Sequence, residues 1–202
     1  MTPSNELIGK YAIIILAAGR SARLGSAKQL LSYHGKNLLQ HTIDTAHESQ
    51  AGPIIVVLGS DMDEIASNIN PLHLTIVKNP DWESGMSSSI VTGINTLKSL
   101  YPDTDSVILM VCDQPFVNAK LLNDLIKKKE ESGSTIVASS YENIHGTPAL
   151  FHKNHFNELS ALNGDAGARY LIKKYNESIQ TIPFDQGSID IDTIDDYINL
   201  MK

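Results

Sequence analysis

The residues best suited to chemistry sit in the stretch IIILAAGRSARLGSAKQL, where Arg20, Arg23 and Lys28 follow directly on an apolar run. Between the run and the lysine lie Ala17, Ala18, Gly19, Ser21 and Gly25. Small side chains let a ligand approach the main chain, and glycine opens dihedral angles closed to other residues. Successive free N–H groups in such a turn form an anion-binding concavity. The three cations add charge that a neutral glycine loop lacks, which suits a triphosphate and the pyrophosphate that would leave it. Neither G-x-G-x-x-G nor G-x-x-x-x-G-K-[ST] is present, since Gly25 is followed by Ser26. A second candidate is Asp113 in Cys112-Asp113-Gln114-Pro115, at the end of another apolar run. A carboxylate there, with proline turning the chain out of a sheet, can hold Mg²⁺ against phosphates, and it equally fits a turn residue before a helix. The cationic loop tips the balance toward the metal role. Mg²⁺ then asks for another oxygen donor, and Asp190 and Asp192 in SIDIDT share a face if extended. An acidic cap on a terminal helix is the other account of that pair.

These residues need a frame that brings distant loops to one edge. Apolar runs rich in Ile and Val occur at 12–16, 54–58, 74–77, 107–112 and 135–138, without polar alternation. That is the pattern of strands buried on both faces of a parallel sheet. Helical spacing fills the gaps, as in Ile90, Ile94, Leu97 or Leu121, Leu122, Leu125. The alternation predicts an α/β fold, a doubly wound, mostly parallel, Rossmann-like sheet in a three-layer αβα sandwich. In such sheets ligands bind beyond the carboxyl ends of the strands, where strand order reverses, and both candidate loops fall there. The last sixty residues read less regularly, with HGTPALF as a segment of its own. Helices are expected around 152–161 and 166–175, a short strand near 178–182, and a terminal helix from about Thr193.

At 202 residues, with no repeat or linker, positions 1–202 read as a single domain. No apolar run approaches the roughly 20 residues of a membrane span, residues 1–10 do not resemble a secretory signal, and the one cysteine excludes an internal disulfide framework. A cytoplasmic protein without membrane contact is expected. A formal charge of −7 argues against nucleic acid as a partner, so any phosphate site must be local.

The stretch LAAGRSARLGSAKQLL resembles the signature loop of the nucleotidyltransferases of GT-A-like fold. It is most similar to the branch of the MobA-like NTP transferases that contains the molybdenum cofactor cytidylyltransferases. NPDWESGMSSSIVTGI, VCDQPFV, GTPALF, GDAGARYLI and DIDTIDDY match further motifs in order through nearly the whole chain. The last departs from the family's usual D-T-P-E-D, because Thr193 is followed by Ile194-Asp195-Asp196, which weakens the expected helix start. The resemblance implies a Mg²⁺-dependent transfer of a nucleotidyl group, CMP from CTP, to a phosphorylated acceptor such as molybdopterin. A molybdoenzyme or its maturation chaperone is then a partner. It implies Asp113 as metal ligand and favours Asp190 over Asp192.

Catalytic candidates are Arg23, Lys28 and Asp113. The nucleotide-binding set is Leu16, Ala17, Ala18, Gly19, Arg20, Ser21, Gly25, Gly85, Ser89 and Asp113, with base recognition by the loop backbone and the serine-rich segment as the family implies. Simple helix capping also explains those serines. HGTPALF and GDAGAR frame the acceptor side, with His145, Gly146, Pro148, Gly164, Asp165 and Arg169 as candidates. Arg169 could clamp a phosphate with two hydrogen bonds or merely pair with Asp165. Cys112 reads as core, His152 and His155 as an unsupported H-x-x-H, and Trp82 as a surface-loop aromatic. A guanylyltransferase or another NTP-dependent sugar- or alcohol-phosphate nucleotidyltransferase of the same fold is one alternative. A non-catalytic nucleotide-binding accessory protein for a molybdenum hydroxylase is another.

Overall fold

Strand β1 (Tyr11–Ala17) is buried at every position. Its β-branched run favours extended backbone, and apolar side chains on both sides of the chain require a covered sheet above and below. Tyr11, Ile13, Ile15 and Ala17 enter one core, while Ala12, Ile14 and Leu16 enter the other. Each fully buried isoleucine contributes about 1.5–3 kcal/mol. The structure, a computed structural model, describes residues 9–19, 24, 27–59, 61–165 and 167–202. The candidates Arg20, Ser21, Arg23 and Gly25 lie outside the described residues.

Numbered along the chain, β4 (Ile54–Leu58) and β6 (Ser106–Val111) flank β1 in parallel, and β5 (Leu74–Lys78) continues beyond β4. Past β6 come β8 (Ile144–His152), β7 (Ile136–Tyr141) and β9 (Gln180–Pro183), giving the order β5-β4-β1-β6-β8-β7-β9. Among these strands only β8 runs against the rest. Helices α1 (Leu38–His47), α2 (Met62–Ser67) and α4 (Ala119–Ser132) cover the first core. Helices α3 (Met86–Leu100), α5 (Phe156–Ser160) and α6 (Arg169–Lys174) cover the second. The expected doubly wound αβα sandwich is thus present. A small hairpin of β2 (Ser32–Tyr33) and β3 (Lys36–Asn37) turns through His34 and Gly35, both at positive φ, and joins α7 (Ile194–Leu200) around Tyr33, Leu38 and Ile191.

Two local expectations change. HGTPALF is no irregular segment: it belongs to β8, which enters the sheet antiparallel between β6 and β7. Its glycine and proline interrupt a run whose apolar end, Ala149 to Phe151, is buried on both faces. The terminal helix also begins cleanly without the family's proline. The Thr193 hydroxyl accepts from the Asp196 N–H and the Asp196 carboxylate accepts in return from the Thr193 N–H, a reciprocal cap.

From β1 the chain winds outward through β4 and β5, then returns to the other side of β1 as β6. The order therefore reverses between β1 and β6, and a crevice opens where Ala17 and Val111 end.

Candidate functional site

The turn that follows β1 is held from inside the protein. The buried Gln29 amide donates to the carbonyls of Ala17, at 2.7 Å, and Gly19, at 3.1 Å. The Ala18 carbonyl lies so close to Gly59 that a Cβ there would stand 2.4 Å from the oxygen. Only glycine permits that approach of the β4 end to the β1 end. With its carbonyls engaged this way, the turn is fixed in the crevice.

Lys28, in a short 3-10 turn at Lys28–Leu30, reaches across the crevice. Its ammonium lies 2.5 Å from Asp113 Oδ2 and 3.1 Å from Asp192 Oδ1. Asp113 follows β6 directly, and its carbonyl accepts from the Ile191 N–H at 3.0 Å, which draws the 190–192 segment alongside. The Asp196 carboxylate also accepts from the Asp192 N–H, so the cap of α7 shapes the same segment. Lys28 and the aspartate after β6 therefore meet on one rim.

Charge is crowded here. Burial raises the Asp190 carboxyl above its ordinary range, and the neighbouring charges of Asp113 and Asp192 push the same way. Burial alone would lower the Lys28 ammonium, but the Asp113 and Asp192 carboxylates outweigh it and hold the group well above a usual lysine. Cys112 is buried, and its thiol is pushed up to about 12 by that burial and by the Asp113 charge. It is an inert core thiol rather than a nucleophile.

Carboxylate oxygens are the donors that hard divalent cations take, and a cation beside them would offset the like charges that add to the rise of Asp190. Among the described residues no group of three or more His, Cys, Asp or Glu side chains is placed to hold a metal ion by itself. His152 and His155 belong to no such group, and His155 instead bonds Thr135 at 2.9 Å.

Two cavities open at this edge. The smaller, of about 200 Å³, is bounded by Leu16, Ala18 and Gly19 on the β1 side and by Trp82, Gly85 and Ser89 opposite. Trp82 is half-buried against the second core, not a free surface aromatic. Gly85 caps α3 with φ +94. The α3 serines are bound within the protein: Asn79 donates to the hydroxyls of Ser88 and Ser89, and the Ser87 hydroxyl donates to the Asn163 carbonyl. Ser89 therefore lines the cavity while its hydroxyl serves the fold. Ala17 lies just behind this wall, in β1.

The larger cavity, of about 470 Å³, shares Leu16 and Met86 with the first. Among the acceptor candidates, Gly146, Asp165 and Arg169 line it. His145 does not; its ring bonds Asn176 at 3.1 Å. Pro148 is buried with its carbonyl accepting from Ser139, and the Gly164 carbonyl accepts from the Ser87 N–H, so both support rather than line the cavity. Among the described residues Arg169 makes no ion pair with Asp165. Gln114 joins the two sides, accepting from the Thr147 hydroxyl at 3.2 Å and donating to the Gly187 carbonyl at 2.8 Å. Sequence reasoning missed Gln29, Gly59, Asn79, Gln114 and the α6 residues beyond Arg169. Gln29, Asn79, Gln114 and Tyr170 to Ile172 lie inside the matched motifs without a role read for them, whereas Gly59 and Lys173 carried no signal.

Residues 13–179 match the MobA-like NTP transferase domain family. The chain belongs to that family of nucleotidyltransferases. Solved structures agree in fold: a homologue of Rv0371c from Mycobacterium sp. strain JC1 is 33% identical, covers 96% of each chain and superposes with a TM-score of 0.84. Rv0371c of Mycobacterium tuberculosis in complex with manganese is 27% identical over 95% of this chain and 97% of its own, with a TM-score of 0.79. A curated relative, nicotine blue oxidoreductase of Paenarthrobacter nicotinovorans, is 25% identical over 93% of this chain and 95% of its own. Among the described residues no helix is long and apolar enough to cross a membrane.

Proposed function

We propose that this nucleotidyltransferase transfers CMP from CTP to the phosphate of molybdopterin, with Mg²⁺, and releases pyrophosphate. One observation carries the reading: Lys28 bridges Asp113 and Asp192 beyond the end of β6, on the sheet edge where Leu16 of β1 and Val111 of β6 line the larger cavity. The smaller cavity, backed by the β1 turn, is suited to the nucleotide. The larger takes the acceptor, and its walls at Leu16, Ile90, Val111 and Ile172 favour a broad apolar body over a sugar.

In the reaction an acceptor phosphate oxygen forms a bond to the α-phosphorus as the bond from the α-phosphorus to the bridging oxygen breaks, and the electron pair leaves on pyrophosphate. A phosphate monoester has a second pKa of about 6 and is already anionic, so no side chain need act as base. Asp113 and Asp190 would hold the divalent ion, which supplies charge neutralisation at the phosphates when bound. Lys28 neutralises developing charge on the leaving group, the β1 turn fixes the phosphates, and the shared wall of the cavities aligns acceptor with nucleotide. Arg23 is assigned the same electrostatic duty as Lys28. The product then suits delivery to a molybdoenzyme or its maturation chaperone.

The test offers each NTP with Mg²⁺ and saturating molybdopterin and follows pyrophosphate. CTP-selective release is expected, and GTP-selective release would move the assignment to guanylyl transfer. No release from any NTP would overturn the enzyme reading in favour of nucleotide binding alone. Redox turnover of nicotine blue instead would carry over the activity for which the Paenarthrobacter relative is named.

A further inference from the structure

The larger cavity carries two cations with no partner carboxylate among the described residues. Arg169 and Lys173 stand one turn apart on α6, so they share a face of the helix, and both line the cavity beside Ile172. Both are exposed. Neither forms an ion pair among the described residues, although the next side chain, Lys174, is bound to Glu158. In a chain with a net charge of −7, two adjacent uncompensated cations stand out. Asp165 also lines the cavity, but its carboxylate is packed against the α3 cap, with Oδ1 2.0 Å from where a Cβ on Gly85 would stand. The neighbouring wall at Leu16, Ile90 and Val111 is apolar and strengthens the field of any charge beside it.

We propose that Lys173 is a specificity-determining residue, the second prong of an anion clamp with Arg169 that holds the acceptor's phosphate. The planar guanidinium fork binds two phosphate oxygens, and the compact ammonium binds a third from the adjacent turn. The clamp makes a phosphorylated acceptor a requirement of the cavity, whereas the apolar wall accepts the acceptor's body. This inference rests on the acceptor assignment made above.

The test is steady-state kinetics on the full chain with Mg²⁺, varying molybdopterin at saturating CTP and then CTP at saturating molybdopterin, comparing wild type with Lys173→Met, Lys173→Arg and Lys174→Met. Loss of one charge-assisted contact predicts a rise of about ten- to hundredfold in the acceptor KM of Lys173→Met. Its kcat and CTP KM should stay within about twofold of wild type, as for a residue that binds only the acceptor. Lys173→Arg should recover most of the loss, and Lys174→Met should change neither KM. An unchanged acceptor KM in Lys173→Met, or an equal rise in the CTP KM, overturns the clamp while leaving the transferase reading intact. A wild-type protein that does not turn over molybdopterin overturns both.

Discussion

The two cavities meet at Leu16 and Met86 yet are built on opposite plans. The smaller is bounded on one side by the β1 turn, whose position is fixed by Gln29 and by the glycine contact at position 59. Trp82, Glu83, Met86 and Ser89 complete its wall from the side of α3. The larger is walled by side chains from α3, β6, β8 and α6, drawn from residues 86 to 173. A wall made of side chains can change its ligand by substitution without disturbing the sheet.

The largest expected effect falls on the carboxylate that Lys28 binds beyond β6, outside both cavity walls. Asp113→Ala should lower kcat by about 10³-fold or more, with a CD spectrum like wild type, because it removes a carboxylate at the reacting phosphates. Retained turnover would detach the crevice from the chemistry. Lys28→Met should cost about 10²-fold in kcat and leave Asp113 and Asp192 without their shared cation. Adding Mg²⁺ should raise the melting temperature of this variant more than that of wild type.

Gly59→Ala sharpens the contrast between the cavities. Its methyl group meets backbone that cannot swing aside, so a urea melt should register a loss of about 1–3 kcal/mol. Nucleotide binding should weaken more than acceptor binding. An equal effect on both would mean that the β1 turn supports the two cavities alike. Tyr170→Ala, on the larger cavity, should move the acceptor KM by about two- to fivefold and leave the CTP KM unchanged.

The smallest effect concerns pH. Because Asp190 is raised in the folded state by burial and by like charges, the fold holds its proton more tightly than the unfolded chain does. The associated stability is present below a pH of ~4 and is lost as pH rises through the higher folded value. Asp190→Asn should therefore raise the melting temperature of the metal-free protein by about 1–2 °C near neutral pH. The gain should vanish under acid conditions and shrink when Mg²⁺ is added.

Much of the frame was legible because apolar runs and helical spacing are local signals. The buried strands around β1 and the helices that alternate with them follow from residues near one another in the chain. HGTPALF was not legible as a strand, since glycine and proline mask both its hairpin with β7 through Glu142 and Asn143 and its pairing with β6, which lies far off in sequence. Trp82 was misplaced for a similar reason: its loop looks exposed until the second core is assembled beneath it. The choice of Asp192 as the second partner of Lys28 could not be read either, because alternation along an extended segment leaves both aspartates on one face.

By itself, the sequence determined the layered architecture and the kinds of chemical group available, because burial pattern and residue type are written position by position. Tertiary structure decided which of those groups meet. Lys28 and Asp113 are 85 residues apart, and Arg169 shares a wall with Leu16 only because β1 and β6 end at the same edge of the sheet. Closing such long loops is a collective outcome of packing, which no local pattern encodes.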